Sequence, residues 1–325
     1  MNQRAPRNRT LTCSEAEIKE LSGRLLHLTK AATVESMTDR IIQQDFRDAV
    51  EFLPNRFVDL LIVDPPYNLT KNYNGRLFRS RQCEDYNVWF ESVVASFTRI
   101  LQPTASLYVC SDWRTSNLVF PILDKHFHVR NRITWEREKG RGAKSNWKNN
   151  TEDIWFCTCG DDYFFNVNTV KLKRKVIAPY RTDDGKPKDW DEGQNGNYRL
   201  THPSNLWSDI TIPFWSMPEN TDHPTQKPEK LIAKLILASS GEGDFVFDPF
   251  LGSGTTAVVA KKLRRKFSGM EMNQEYCCWA EKRLQLAEQD PSIQGYEDGV
   301  FWERNSLNDQ PRKKIRNNAA QGTLL

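Results

Sequence analysis

The chain has 325 residues, 38% of them hydrophobic and 27% charged, which allows a real buried core in one large domain with an insertion, or in two domains. No run approaches the roughly 20 apolar residues of a membrane-spanning helix and the N-terminus is polar, so a cytoplasmic protein without a membrane partner is expected. A net charge of +4 is too mild to identify a nucleic-acid partner, and seven scattered cysteines with five histidines predict reduced thiols and no metal.

Residues 1–38 open with a basic arm (Arg4, Arg7, Arg9) and continue into an accessory helix. There Ser14 and Glu17 form a capping box, and Ile18, Leu21, Leu25 and Leu28 make one apolar stripe, suited to a homodimer interface or to the core. From Ile41 short apolar runs alternate with helical stretches, the texture of an α/β fold with a mostly parallel sheet. Strands are predicted at Ile41–Gln44, Val58–Val63, Ser106–Cys110, Arg130–Trp135, Asp153–Thr158, Phe245–Phe247 and Lys266–Met270. Between Arg137 and Lys148 five basic residues (Arg137, Lys139, Arg141, Lys144, Lys148) face one acid, Glu138, with Gly140 and Gly142 between them. That suits a phosphate-contacting loop and equally a solvated surface loop. Residues 171–220 lose periodicity but hold Trp190, Tyr198, Trp207, Phe214 and Trp215, too aromatic for a disordered linker, so a recognition insert that is ordered, or ordered on binding, is expected. The division is therefore 39–170, insert 171–220, 221–300, and a polar tail 301–325 with basic residues Arg312, Lys313, Lys314 and Arg316.

Two strand ends carry the chemistry. Leu60-Leu61-Ile62-Val63 runs into Asp64-Pro65-Pro66-Tyr67, where two prolines stiffen the turn and remove two N–H donors, leaving an acceptor-rich cup beside an aromatic ring. A primary aryl amine offers hydrogens to such a cup, one to Asp64 and one to the Pro65 carbonyl. Further on, Val246-Phe247-Asp248-Pro249-Phe250-Leu251-Gly252-Ser253-Gly254-Thr255-Thr256 reads as strand, glycine-rich turn and helix, without the dinucleotide Gly-x-Gly-x-x-Gly spacing and without a Gly-Lys-Ser/Thr phosphate loop. The next strand ends at Glu271, 23 residues after Asp248, where an acid can take the two hydroxyls of a ribose.

Together these motifs resemble the DNA amino-methyltransferases. The Asp-Pro-Pro-Tyr motif stands about 180 residues before the glycine-rich one, with the insert between, and His223-Pro224-Thr225-Gln226-Lys227-Pro228-Glu229 precedes the second strand. That order is similar to the circularly permuted β-group of adenine-N6 and cytosine-N4 enzymes of restriction-modification systems. The resemblance implies a Rossmann-like fold with a seven-stranded sheet, S-adenosylmethionine as methyl donor, and double-stranded DNA as substrate. It places Asp64, Pro65, Pro66 and Tyr67 at the target amine. Asp45, Asp64, Pro224, Lys227, Asp248, Phe250, Gly252, Ser253, Gly254, Thr255 and Glu271 would surround the cofactor. The basic segment would grip phosphates, and the target base would be flipped out of the duplex. Asp rather than Ser at position 64 favours adenine N6 over cytosine N4; a non-catalytic DNA-binding module on the same fold is the alternative of another class.

Overall fold

The computed structural model describes residues 5–304 and 306, apart from 74–75, 138–143, 177–178 and 194–195. Lys139 and Arg141 of the basic segment, Arg4 of the arm and the basic cluster of the tail lie outside the described residues. The first half runs α1 (Glu15–Ser22), α2 (Val34–Met37), β1 (Arg40–Gln43), α3 (Phe46–Ala49), β2 (Val58–Val63), β3 (Lys71–Tyr73), β4 (Arg76–Phe78), α4 (Cys83–Ile100), β5 (Leu101–Ser111), α5 (Ser116–His126), β6 (His128–Glu136) and β7 (Thr151–Thr158). The second runs β8 (Leu172–Lys175), β9 (Asp191–Gly193), β10 (Gly196–Thr201), β11 (Leu206–Trp207), α6 (Glu229–Ser239), β12 (Phe245–Asp248), α7 (Thr255–Lys262), β13 (Lys266–Glu271), α8 (Gln274–Gln289), β14 (Tyr296–Glu297) and β15 (Val300–Trp302).

The main sheet has the order β1-β13-β12-β2-β5-β7-β6-β11. Its first five strands are mutually parallel, β7 is antiparallel to both β5 and β6, and the two-residue β11 adds an eighth strand to the seven expected. The central strands are apolar without alternation because both faces are covered: in β2, Leu60, Leu61, Ile62 and Val63 are all buried. Strands from the C-terminal third, β12 and β13, sit between β1 and β2, so the halves of the chain are interleaved in one sheet. The connections leave β2 toward β5 and β12 toward β13, in opposite directions. The crevice at the carboxyl ends of β2 and β12 is therefore the topological switch point, the position where open α/β sheets bind ligands.

The N-terminal helix and the insert differ in extent from the sequence reading. The capping box at Ser14 and Glu17 is present, but α1 stops at Ser22; Leu26 instead bridges to Ile42 beside β1, and Leu28 N–H donates to Gln44. Gly23 ends the helix, so the stripe is shared between a helix and an added edge. The insert forms a second sheet, β14-β15-β8-β10-β9, in which β15 pairs with β8. The division at 300/301 thus falls inside β15. Trp190 and Tyr198 are buried, Trp207 on β11 is buried in the core of the main sheet, and Phe214 and Trp215 stay 44% and 51% exposed, so only part of the insert's aromatic content is its own core.

Candidate active site

A cavity of about 850 Å³ opens at the switch point. Its wall is built from four strand ends: Gln43 to Arg47 after β1, Asp64 to Tyr67 after β2, Pro249, Phe250 and Gly252 after β12, and Met270 to Gln274 at the end of β13. Phe78, Arg81 and Trp89 close one side, and His223, Thr225 and Tyr276 another.

At the cup, Asp64 is gripped from two sides. Tyr67 donates its hydroxyl to Asp64 Oδ1 at 2.9 Å, and Lys227 Nζ donates to Oδ2 at 2.6 Å and to the Tyr67 oxygen at 3.3 Å. Tyr86 donates to the Pro66 carbonyl, and that contact pins the proline turn against α4. Burial opposes the charge on Lys227, but the Asp64 and Glu152 carboxylates outweigh it and push its ammonium above the ordinary lysine value. Burial, reinforced by Asp64, pushes the Tyr67 phenol well up as well, so it stays a donor. Beneath them the Cys110 thiol is raised well above its ordinary value by burial and is inert as a nucleophile.

The two acids proposed to face a nucleoside are both at the cavity wall. Glu271 accepts from the backbone N–H of Gly252 at 3.1 Å through Oε2 and of Asn273 at 2.7 Å through Oε1, which fixes its carboxylate plane. Asp45 caps α3 by accepting from Arg47 N–H and pairs with the Arg47 guanidinium at 3.1 Å. Of the glycine-rich turn Pro249, Phe250 and Gly252 reach the cavity, whereas Ser253 and Gly254 do not line it. Gly252 has φ +54°, and a Cβ there would come within 3.1 Å of the His223 ring. Burial drives His223 down to a pKa of about 3, so this ring is neutral.

Several residues assigned to the cofactor from the sequence have other work. Asp248 is buried, accepts from Phe250 N–H and Thr256 Oγ1, and is pushed up to about 7 by burial. Gly254 has φ +83°, and a Cβ on it would lie 2.4 Å from Ala280 Cβ; its absence of a side chain serves the packing of α7 on α8. Thr255 donates to the Lys227 carbonyl at 3.0 Å, and Ser253 offers its carbonyl to Arg283. Pro224 accepts from Lys71 at 3.4 Å, outside the large cavity. Lys227 also lies outside that wall and belongs to the cup. In the basic segment Arg137 is turned inward onto the buried Glu152, while Lys144 and Lys148 are exposed together with Trp147, 94% accessible. Glu152 itself escapes the sequence reading: beside Asp153 at the start of β7 it carries no motif, and only its burial marks it.

A carboxylate in a stiffened Pro-Pro turn, an aromatic ring beside it, and a ligand-sized cavity at the same switch point define an α/β protein with a ligand site at its strand ends. Residues 58–282 match the DNA methylase family model for N6 and N4 methyltransferases, and the chain belongs to that family. The DNA adenine methyltransferase YhdJ of Escherichia coli (strain K12) is 34% identical over 256 residues, covering 76% of this chain and 83% of that protein. The type II methyltransferase M.HpaI of Haemophilus parainfluenzae is 32% identical, over 76% of this chain and 74% of its own. Among solved structures, the PvuII DNA methyltransferase (cytosine-N4-specific) shares the fold with a TM-score of 0.57 at 19% identity, covering 75% of this chain and 85% of that one. The TTHA0409 putative DNA modification methylase of Thermus thermophilus, complexed with S-adenosyl-L-methionine, gives 0.51 at 18% identity, over 82% and 98%.

Proposed function

We propose that this protein is a site-specific adenine-N6 methyltransferase of duplex DNA, the modification enzyme of a restriction-modification system. The observation that carries the reading is the cup: Asp64, the Pro-Pro turn and Tyr67 stand in the wall of the same cavity as Asp45 and Glu271. Asp at position 64 and a 34% identical relative named as an adenine enzyme support adenine; the cytosine-N4 enzyme among the structural neighbours bears on the fold alone.

S-adenosylmethionine is the methyl donor of this family, and the cavity fits it. A volume of about 850 Å³ is that of a site for one ligand of this size. The wall offers two carboxylates for hydroxyl and amine groups, the rings of Phe46 and Phe250 for a base, and Gly252, where a side chain would crowd His223. Asp45, Phe250, Gly252 and Glu271 would hold the cofactor, which when bound supplies an electrophilic methyl on a sulfonium.

The chain's own contribution is positioning. Asp64 and the Pro65 carbonyl accept the two amine hydrogens, which draws the nitrogen lone pair out of conjugation with the base. Tyr67 is tethered through its hydroxyl to Asp64, so its ring is held as a fixed surface against which the flipped base stacks. Lys227, cationic and buried, holds the Asp64 carboxylate in place in the resting site. No covalent nucleophile is required, in keeping with the inert Cys110. Lys144, Lys148 and Trp147 stand on an exposed loop for phosphate and base contact, and the second sheet and the segment after β11 that exposes Phe214 and Trp215 form the recognition element.

Labelled methyl transfer from S-adenosylmethionine to unmethylated duplex DNA, followed by nucleoside analysis, tests the reading. N6-methyladenine is the expected product, and N4-methylcytosine would refute the base assignment. Asp64→Ala should abolish transfer while leaving cofactor binding; near-normal turnover of that variant would refute the cup.

A further inference from the structure

Asp64 as it stands is not ready for an amine. Its Oδ1 is engaged by Tyr67 and its Oδ2 by the Lys227 ammonium at 2.6 Å. An acceptor already committed to a cation is a poor acceptor for a neutral amine, which must shed hydrogen-bond density onto it to become nucleophilic. One donor has somewhere else to go. Glu152, on β7, is 3% exposed; its Oε1 is held by Arg137, and its Oε2 lies 3.3 Å from Lys227 Nζ yet accepts no hydrogen bond among the described residues. A buried carboxylate oxygen left without a donor is rare and costly. Behind the cup a second, small polar cavity of about 50 Å³, lined by Lys227, Glu152 and Arg137, leaves room for the ammonium to move.

We propose that Glu152 is a positioning residue for methyl transfer: when the target amine enters the cup, Lys227 passes from Asp64 to Glu152 and frees Asp64 Oδ2 to accept the amine. The exchange replaces one carboxylate partner of the same ammonium, 20% exposed, by another that is 3% exposed, so no charge is created and the amine takes the place of the ammonium at Asp64. Arg137 holds Glu152 in place for it. The inference rests on the amine-methylation reading and holds for adenine or cytosine alike.

Glu152→Gln keeps the shape of the side chain and removes its claim on the ammonium. The expected result is a fall in single-turnover methyl transfer of about 10-fold to 100-fold, the value of one charge-assisted hydrogen bond, with S-adenosylmethionine affinity and duplex affinity within about twofold of wild type. Adding Lys227→Gln to Glu152→Gln should then raise transfer severalfold above the single variant, because no cation is left to hold Asp64. Unchanged transfer by E152Q, a double variant no better than E152Q, or a main effect on cofactor affinity would each overturn the proposal. Wild-type transfer without this suppression defeats the inference alone, whereas a wild type that methylates no DNA amine defeats the proposed function and the inference with it. Should E152Q fail to fold, a structure of the wild type with target duplex and a non-transferring cofactor analogue decides the matter. Lys227 Nζ must lie closer to Glu152 than to Asp64, and an ammonium still on Asp64 overturns the exchange.

Discussion

Gly254→Ala tests the division of labour within the glycine-rich turn. Gly254 caps α7 with φ +83°, where an L-residue costs about 1–2 kcal/mol relative to glycine. The added methyl would stand 2.4 Å from Ala280 Cβ and 2.9 Å from its Cα, and Ala280 is itself buried in α8, so backbone must move. Overpacking of that kind costs about 1–3 kcal/mol. Together the loss is about 2–5 kcal/mol. In a chain of 325 residues the unfolding entropy converts each kcal/mol into about 1.5 °C, so Tm should drop by about 3–8 °C. Thermal unfolding by circular dichroism reads that shift, and a cofactor titration well below the transition should show affinity within about threefold of wild type, roughly 0.6 kcal/mol. Gly252→Ala should do the reverse, since beyond the same φ cost of about 1–2 kcal/mol its methyl meets only the His223 ring at 3.1 Å but stands at the cavity wall: a smaller change in Tm and a clear loss of cofactor affinity. A G254A enzyme melting with the wild type while losing cofactor binding would refute this assignment and return Gly254 to the cofactor.

Lys148→Ala and Arg137→Ala should separate, although one basic segment holds both. Loss of Lys148, exposed on the loop, should weaken binding to all duplexes and reduce the slope of log K against log salt by about 0.9, whereas Arg137→Ala should leave that slope intact. The latter strands the buried Glu152, at a cost of about 1–3 kcal/mol in stability after allowance for the quarter exposure of the guanidinium. For pH, His223 has its pKa lowered by burial from 6.5 to about 3, so below pH 6.5 the unfolded chain takes up a proton that the folded chain refuses. Stability tied to this residue is present above pH 6.5 and is lost as pH falls toward 3. His223→Gln should show a smaller decline in urea midpoint from about pH 7.5 to about pH 5 than the wild type, and parallel declines would contradict the burial of a neutral ring.

Much of the scaffold is legible in the chain itself. Each core strand is found within a few residues, because strands buried on both faces are short unbroken apolar runs, and Val58–Val63 matches to the residue. The longest extension is β5, which begins at Leu101 rather than Ser106 because Gln102, Pro103 and Thr104 continue it past the covered region with no apolar signal. That Asp64-Pro65-Pro66-Tyr67, Phe250, Gly252, Asp45 and Glu271 line the crevice is also legible, since each sits where a strand ends at the switch point.

What local pattern does not carry is the partnership of residues far apart in sequence. Lys227 lies 163 positions from Asp64, and its preference for that carboxylate follows from interleaving β12 between β2 and β13, which brings the segment before α6 over the cup. Arg137 reads as a phosphate contact because charge runs usually face solvent; only the burial of Glu152 on the neighbouring strand turns it inward. Gly254 reads as a cofactor glycine because sequence shows that a side chain is missing and not what fills the space. The chemistry of the strand ends is a property of short segments with strong local stereochemistry, whereas the pairing of buried charges and the reason for each glycine are properties of distance, which exist only after the chain has closed on itself.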